Sequence, residues 1–162
     1  MNSPTILYED QFFIETIVLA EDNKGDRDAF KNALEYVAPE KKLISVTNGE
    51  DLLNLLDSYI PDLLFVDLDM PHKSGIQCIK EIRDNKSYDH LPIIIYSASS
   101  RINNIQVGYG LGANLFFIKP KEFSDLVASV KEILRFDWRY PDNIAESHFT
   151  NNHYKAFLQS TA

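Results

Sequence analysis

The chain has one cysteine, Cys78, in 162 residues, so it can close no disulfide within itself. That usage fits a reducing compartment, and the expected location is the cytoplasm. No apolar run approaches the roughly 20 residues of a membrane span. Near the start there is no basic stretch followed by an apolar core, so neither membrane insertion nor export is expected. Basic residues are outnumbered, 16 Lys and Arg against 24 Asp and Glu for a formal charge of −8. They are also scattered, which argues against nucleic acid, whose phosphates call for clustered Lys and Arg. Cys and His form no cluster with ligand spacing, which disfavours zinc. There is no internal repeat and no low-complexity segment.

What is there is ordinary globular material, 44% hydrophobic and 25% charged. At this length one domain is expected, burying roughly two-thirds of its unfolded surface. Its organising stretch is Leu63-Leu64-Phe65-Val66-Asp67-Leu68-Asp69-Met70-Pro71. A short apolar run introduced by Pro61-Asp62 reads as a strand buried on both faces, and Pro71 with Ser74-Gly75 marks the loop after it. Asp67 therefore stands at the carboxyl end of a strand, the edge where open α/β sheets collect their ligands.

The same alternation runs along the chain. Ile14 to Ala20 reads as a first buried strand ending in Glu21-Asp22-Asn23, and Asp26 to Val37 as an amphipathic helix closed by Pro39. Lys42 to Val46 is a second strand, and Leu52, Leu53, Leu56 and Tyr59 give the next helix its apolar stripe before Pro61 stops it. A helix from about Ile76 to Asp84 follows the third strand. Leu91 to Tyr96 is a β-branched fourth strand ending in Ser97-Ala98-Ser99-Ser100. A weaker helix from Ile102 to Tyr109, a fifth strand from Asn114 to Ile118 and a closing helix from Phe123 to Leu134 complete the series. Five strands alternating with five helices connect compactly only as a parallel sheet with helices on both faces. The expectation is a doubly wound, flavodoxin-like α/β domain over residues 14–135, strand order 2-1-3-4-5. Residues 1–13 form an unassigned N-terminal arm. Residues 136–162 are an extension too aromatic to read as a disordered tail, too short for a second domain, and with no output domain behind them.

The residues just after the strands are Glu21-Asp22, Asp67-Leu68-Asp69, Ser97 and Lys119. A parallel sheet brings them to one edge. Crowded carboxylates repel unless a cation joins them, and an all-oxygen donor set suits Mg²⁺ or Mn²⁺. A carboxylate so placed can act as nucleophile toward phosphorus, with an ammonium and a hydroxyl to hold the phosphoryl oxygens.

Glu-Asp-Asn after the first strand, Val-Asp-Leu-Asp-Met-Pro with Gly75 behind it, Ser-Ala after the fourth and Gly-Ala-Asn-Leu-Phe-Phe-Ile-Lys-Pro at the fifth resemble the receiver domain of two-component response regulators. The likeness is to single-domain, chemotaxis-type regulators and, in a narrower stretch, to those paired with phytochrome-type kinases. It implies that Asp67 accepts a phosphoryl group from a sensor histidine kinase or histidine phosphotransfer protein. It further implies that Asp22 and Asp67 bind the metal directly, Glu21 through water and Asp69 by its carbonyl. Ser97 and Lys119 would contact the phosphoryl group, Phe116 would be the switch aromatic, and the bond before Pro120 would be cis. Output would be phosphorylation-dependent binding to a further protein, and a homodimer would use the fourth-helix and fifth-strand face. Two positions depart from the usual pattern: Asp69 where Asn is frequent, and Ser97 for the commoner Thr. Two other readings compete with the switch. Phe-Val-Asp-Leu-Asp also fits the nucleophile motif of haloacid dehalogenase-type phosphatases, although that motif normally opens a chain and is followed by further acids. A pseudo-receiver would keep the fold as a binding module without phosphorylation.

Overall fold

The computed structural model describes residues 14–158, so the expected N-terminal arm and the end of the expected extension lie outside the described residues. Strands β1 (Thr16–Ala20), β2 (Lys42–Val46), β3 (Leu63–Val66), β4 (Ile93–Ser97) and β5 (Leu115–Ile118) form one parallel sheet in the order β2-β1-β3-β4-β5. Helices α1 (Lys24–Val37), α2 (Gly49–Ser58), α3 (Gly75–Asp84), α4 (Ile102–Gly110) and α5 (Phe123–Leu134) alternate with them. This is the expected doubly wound arrangement. Its strand order reverses between β1 and β3, where a crevice opens beyond the strand ends.

The two-residue period of a strand sorts the core into two layers. Ile17, Leu19, Phe65, Ile94, Tyr96 and Phe117 face the side covered by α1 and α5, around a fully buried Phe30. Val18, Leu64, Val66, Ile95 and Phe116 face the opposite side, against Leu52, Leu56, Ile79 and Ile82. No described helix is long and apolar enough to cross a membrane.

Local chemistry fixes the element ends. Asn23 accepts the Asp26 N–H and starts α1 two residues before the expected Asp26. Asn48 caps α2 by accepting the Asp51 N–H, and Ser74 with Gln77 forms a capping box on α3. β1 begins at Thr16 because the Asp62 carboxylate takes the N–H groups of Glu15 and Thr16. β4 begins at Ile93, since Pro92 has no N–H to give a ladder. The expectation of a cis bond before Pro120 is corrected: there is no cis peptide among the described residues. Trans is favoured even before proline by about 0.5–1 kcal/mol, and Lys119 simply continues the sheet by donating its N–H to Ser97 O at 2.7 Å.

Residues beyond 135 pack on the same core. A short helix α6 (Pro141–Ser147) opens with proline at its first turn. A hairpin of β6 (Phe149–Thr150) and β7 (His153–Tyr154) follows, turning through Asn151 and Asn152 with φ of 53° and 64°. That is the left-handed pair a two-residue hairpin turn requires. The chain then reaches the free edge of β5, where Phe157 donates its N–H to Phe116 O at 2.7 Å and accepts from Ile118 N–H at 3.0 Å. Trp138 and Ile144 enter the α1/α5 layer, while Tyr154 and Ala156 lie against the other, so the extension wraps that edge. The free edge of β5 and the Gln106 and Tyr109 side of α4, part of the face named above for a homodimer, are thus covered by the chain itself.

Candidate functional site

The register Ala20↔Val66 sets the first residues past β1 and β3 side by side, and Asp67 N–H donates to Ala20 O at 2.9 Å. Carboxylate oxygens of Glu21, Asp22 and Asp67 all lie within 4.8 Å of one another. Glu21 is fully buried, Asp67 nearly so, and Asp22 is exposed. Arg27, one turn into α1, fixes this loop by donating to the carbonyls of Glu21 and Asp22 at 3.0 and 2.8 Å. Gly75 closes the other side: a Cβ there would stand 2.2 Å from Asp67 O, so any larger residue would push on the strand end that carries Asp67.

Lys119 reaches in from the end of β5. Its Nζ is 2.7 Å from Glu21 Oε1, 2.8 Å from Asp26 Oδ2 and 3.6 Å from Asp67 Oδ2. Its ammonium also lies 5.2 Å from the Tyr96 ring centre, within cation–π range. Ser97 is buried at the end of β4, where its Oγ accepts the Ser99 N–H at 3.1 Å. Asp69 is exposed, and its carboxylate stands outside the acid cluster. Of the residues singled out from sequence, Glu21, Asp22, Asp67 and Lys119 come into one constellation, with Ser97 on the same edge.

Burial outweighs attraction here. It pushes the Glu21 carboxyl from 4.5 to about 7, helped by the Asp67 charge and opposed by Lys119. Asp67 is raised for the same first reason, against the pull of Lys119. For Lys119 burial acts downward, but its hydrogen bond to Asp26 and its close ion pair with Glu21 hold it above the ordinary lysine value. A carboxyl whose folded value is raised gives stability that is full below its unfolded value and lost as pH rises through the folded one. In a metal chelator, stability should therefore fall between pH 5 and pH 8, by up to about 3 kcal/mol from Glu21 alone. Urea midpoints across that range check this, with Glu21→Gln flattening the profile. A wild-type curve rising to pH 8 would contradict it.

Phe116 is fully buried on the α4 side of β5. Gly108 makes its space, since a Cβ there would approach Ile95 Cδ1 to 2.5 Å and the Phe116 ring to 3.2 Å. Tyr109 ties this region to the extension: its hydroxyl accepts the Phe116 N–H at 3.1 Å and donates to Lys155 O at 2.9 Å. Its ring stacks on Tyr154 at 4.5 Å, and Gln106 bonds both the N–H and the carbonyl of Tyr154 at 2.8 and 2.7 Å. Sequence reading did not single out Asp26, Gln106, Gly108 or Tyr109. Gly108 stood in a glycine cluster that weakened the helix assignment instead of marking a close contact.

The donor set fits a hard divalent cation. Three carboxylates converge, and buried Glu21 Oε1 has no hydrogen-bond donor of good geometry, only the Lys119 charge beside it.

A sequence profile of the response regulator receiver domain matches residues 17–131. Response regulator Rcp1 of Synechocystis sp. is 26% identical over 129 residues, covering 75% of this chain and 88% of Rcp1. Response regulator GtcR of Aneurinibacillus migulanus is 32% identical over 82% of this chain, which spans only 54% of that protein. Among solved structures, the phosphorylated cyanobacterial phytochrome response regulator RcpA superposes with a TM-score of 0.71 at 27% identity, over 76% of this chain and 94% of RcpA. The Mn²⁺-bound form of Rcp1 gives 0.69 at 26% identity, over 75% and 93%.

Proposed function

The chain belongs to the response regulator receiver family of two-component signalling systems, and on that premise we propose that Asp67 is its phosphoryl acceptor. The observation that carries the reading is the gathering of Glu21, Asp22, Asp67 and Lys119 at one strand edge. Family members are signalling switches, not turnover enzymes, and the donor would be a sensor histidine kinase or a histidine phosphotransfer protein. An Asp67 carboxylate oxygen attacks phosphorus in line as the bond from phosphorus to the donor nitrogen breaks. The nitrogen leaves with the electron pair.

Asp22, Asp67 and the Asp69 carbonyl would hold Mg²⁺, or Mn²⁺ as in the Rcp1 structure, with Glu21 acting through water. The ion, when bound, neutralises charge on the acids and on the incoming phosphoryl oxygens. Lys119 and the Ser97 hydroxyl take phosphoryl oxygens on the other side. Withdrawal of Ser97 Oγ toward the phosphoryl group frees the Ser99 N–H it now accepts, loosening the β4–α4 loop beside Phe116. The changed α4 surface would then be read by a downstream protein.

The test is stoichiometric. Incubation with phosphoramidate and Mg²⁺ should add one phosphoryl group per chain, and a chelator should prevent it, as read by intact-protein mass. No addition, or continuous release of phosphate from phosphomonoesters at enzymatic rates, would overturn the reading.

A further inference from the structure

Asp26 belongs to none of the roles just assigned, yet it makes one of the two shortest contacts to the lysine of the site. It lies in the first turn of α1, its N–H on Asn23 Oδ1, and its carboxylate reaches Lys119 Nζ at 2.8 Å across 93 residues of sequence. An ammonium has three N–H donors. Glu21 and Asp26 engage the Lys119 ammonium at 2.7 and 2.8 Å, and the distance left to Asp67 is 3.6 Å, beyond a direct hydrogen bond. Asp28 lies on the same helix and carries the same carboxylate, but it is exposed and paired with Lys24 at 2.7 Å. Of these two helix acids it is Asp26 that reaches the lysine, which it shares with Glu21.

We infer that Asp26 is a positioning residue that holds the Lys119 ammonium off the Asp67 carboxylate, leaving Asp67 open to the cation and to phosphorus. The inference rests on the reading of Asp67 as acceptor. Without the Asp26 charge, Lys119 keeps Glu21 and is drawn the short remaining distance to Asp67, because opposite charges in a buried site attract strongly. A cation must then displace a tight ion pair before it can bind. The resting protein would be metal-poor and slow to react, although every residue of the acceptor machinery is intact. Phosphorylation itself asks Lys119 to shift toward the new phosphoryl oxygens. Asp26, less buried than Glu21, is the partner it can exchange most readily.

Calorimetric Mg²⁺ titration of the full chain tests this without any phosphodonor. Asp26→Asn should raise the Mg²⁺ dissociation constant about 3- to 10-fold. Asp28→Asn, which removes an equal charge two residues along the same helix, should leave it within about 1.5-fold. In a Lys119→Met background the added Asp26→Asn change should have little effect, because the residue through which it acts is gone. With phosphoramidate, Asp26→Asn should label slowly at limiting Mg²⁺ and recover the wild-type rate at saturation. An unchanged affinity, an equal loss in Asp28→Asn, or the same loss without Lys119 would overturn the inference. If Lys119→Met does not fold, the contrast between the two helix variants and the recovery at saturating Mg²⁺ decides. Absence of labelling in the wild type would instead strike the acceptor reading, and the Mg²⁺ titrations would still judge Asp26.

Discussion

Asp67→Asn should lose all covalent labelling by phosphoramidate, while its metal-free form becomes more stable than the wild type. Both effects come from the same carboxylate. The amide keeps the shape of the side chain, but it has no anionic oxygen to attack phosphorus. The charge it removes is one the fold holds at a disadvantage: Asp67 is raised above its ordinary value by burial, with Lys119 compensating only in part. Neutralising it should stabilise the metal-free protein at neutral pH, because the desolvation that burial imposes on the charge is relieved. The melting temperature in chelator should rise with it. Mg²⁺ affinity should fall at least about 10-fold, since one of three converging carboxylates is gone. Melts in chelator and in Mg²⁺ should therefore cross over: the variant leads without metal, and the wild type gains more when metal is added. Residual labelling of Asp67→Asn would place the acceptor elsewhere. Destabilisation in chelator would mean that Asp67 supports the fold and is not held there against its own preference.

The parts of this architecture that rest on local chemistry were legible in the sequence. Leu63–Val66 and Ile93–Ile95 are apolar without alternation, as strands covered on both faces must be, and the acids after them mark where burial ends. Once the sheet is parallel, Glu21, Asp67, Ser97 and Lys119 have to share an edge, so the constellation followed from topology. Asp26 did not, because an acid in the first turn of a helix already has a local reason to be there, complementing the helix dipole. Its partner is 93 residues away, and only the tertiary structure pairs them. Phe116 and Phe117 were equally opaque as neighbours in one apolar strand; the pleat sends one toward α4 and the other toward α1 and α5. In the extension, Pro141 and the Asn151-Asn152 pair carried turn and helix-start signals of their own. The docking of Phe157 on β5 carried none, since a single residue adding to a strand edge leaves no pattern in sequence.

Trp138→Ala should be among the most destabilising single changes outside the strands, lowering the unfolding free energy by about 3–5 kcal/mol. Trp138 is 5% exposed, packs in the same layer as Phe30 and Phe65, and donates its indole N–H to Ile133 O at 2.8 Å. Alanine would empty a cavity under α5 and leave that helix-end carbonyl without its side-chain donor. The melting temperature should drop by about 10 °C in a single cooperative transition. The prediction separates two views of residues 136–158. If they are an appendage, the loss stays below about 1 kcal/mol and the sheet melts where it did before. If they belong to the cooperative unit, as the burial of Trp138 and Ile144 and the seating of Phe157 on β5 indicate, the whole domain feels it. The second outcome bears on signalling as well. The Tyr109 hydroxyl bridges the Phe116 N–H and the Lys155 carbonyl, so a loosened extension would relax the partner that holds Phe116 in place. Amide exchange at Phe116 and Ile118 should accordingly quicken in Trp138→Ala beyond the change at Val18 in central β1. A uniform change at all three would leave the extension a packing element with no particular hold on the β5 edge.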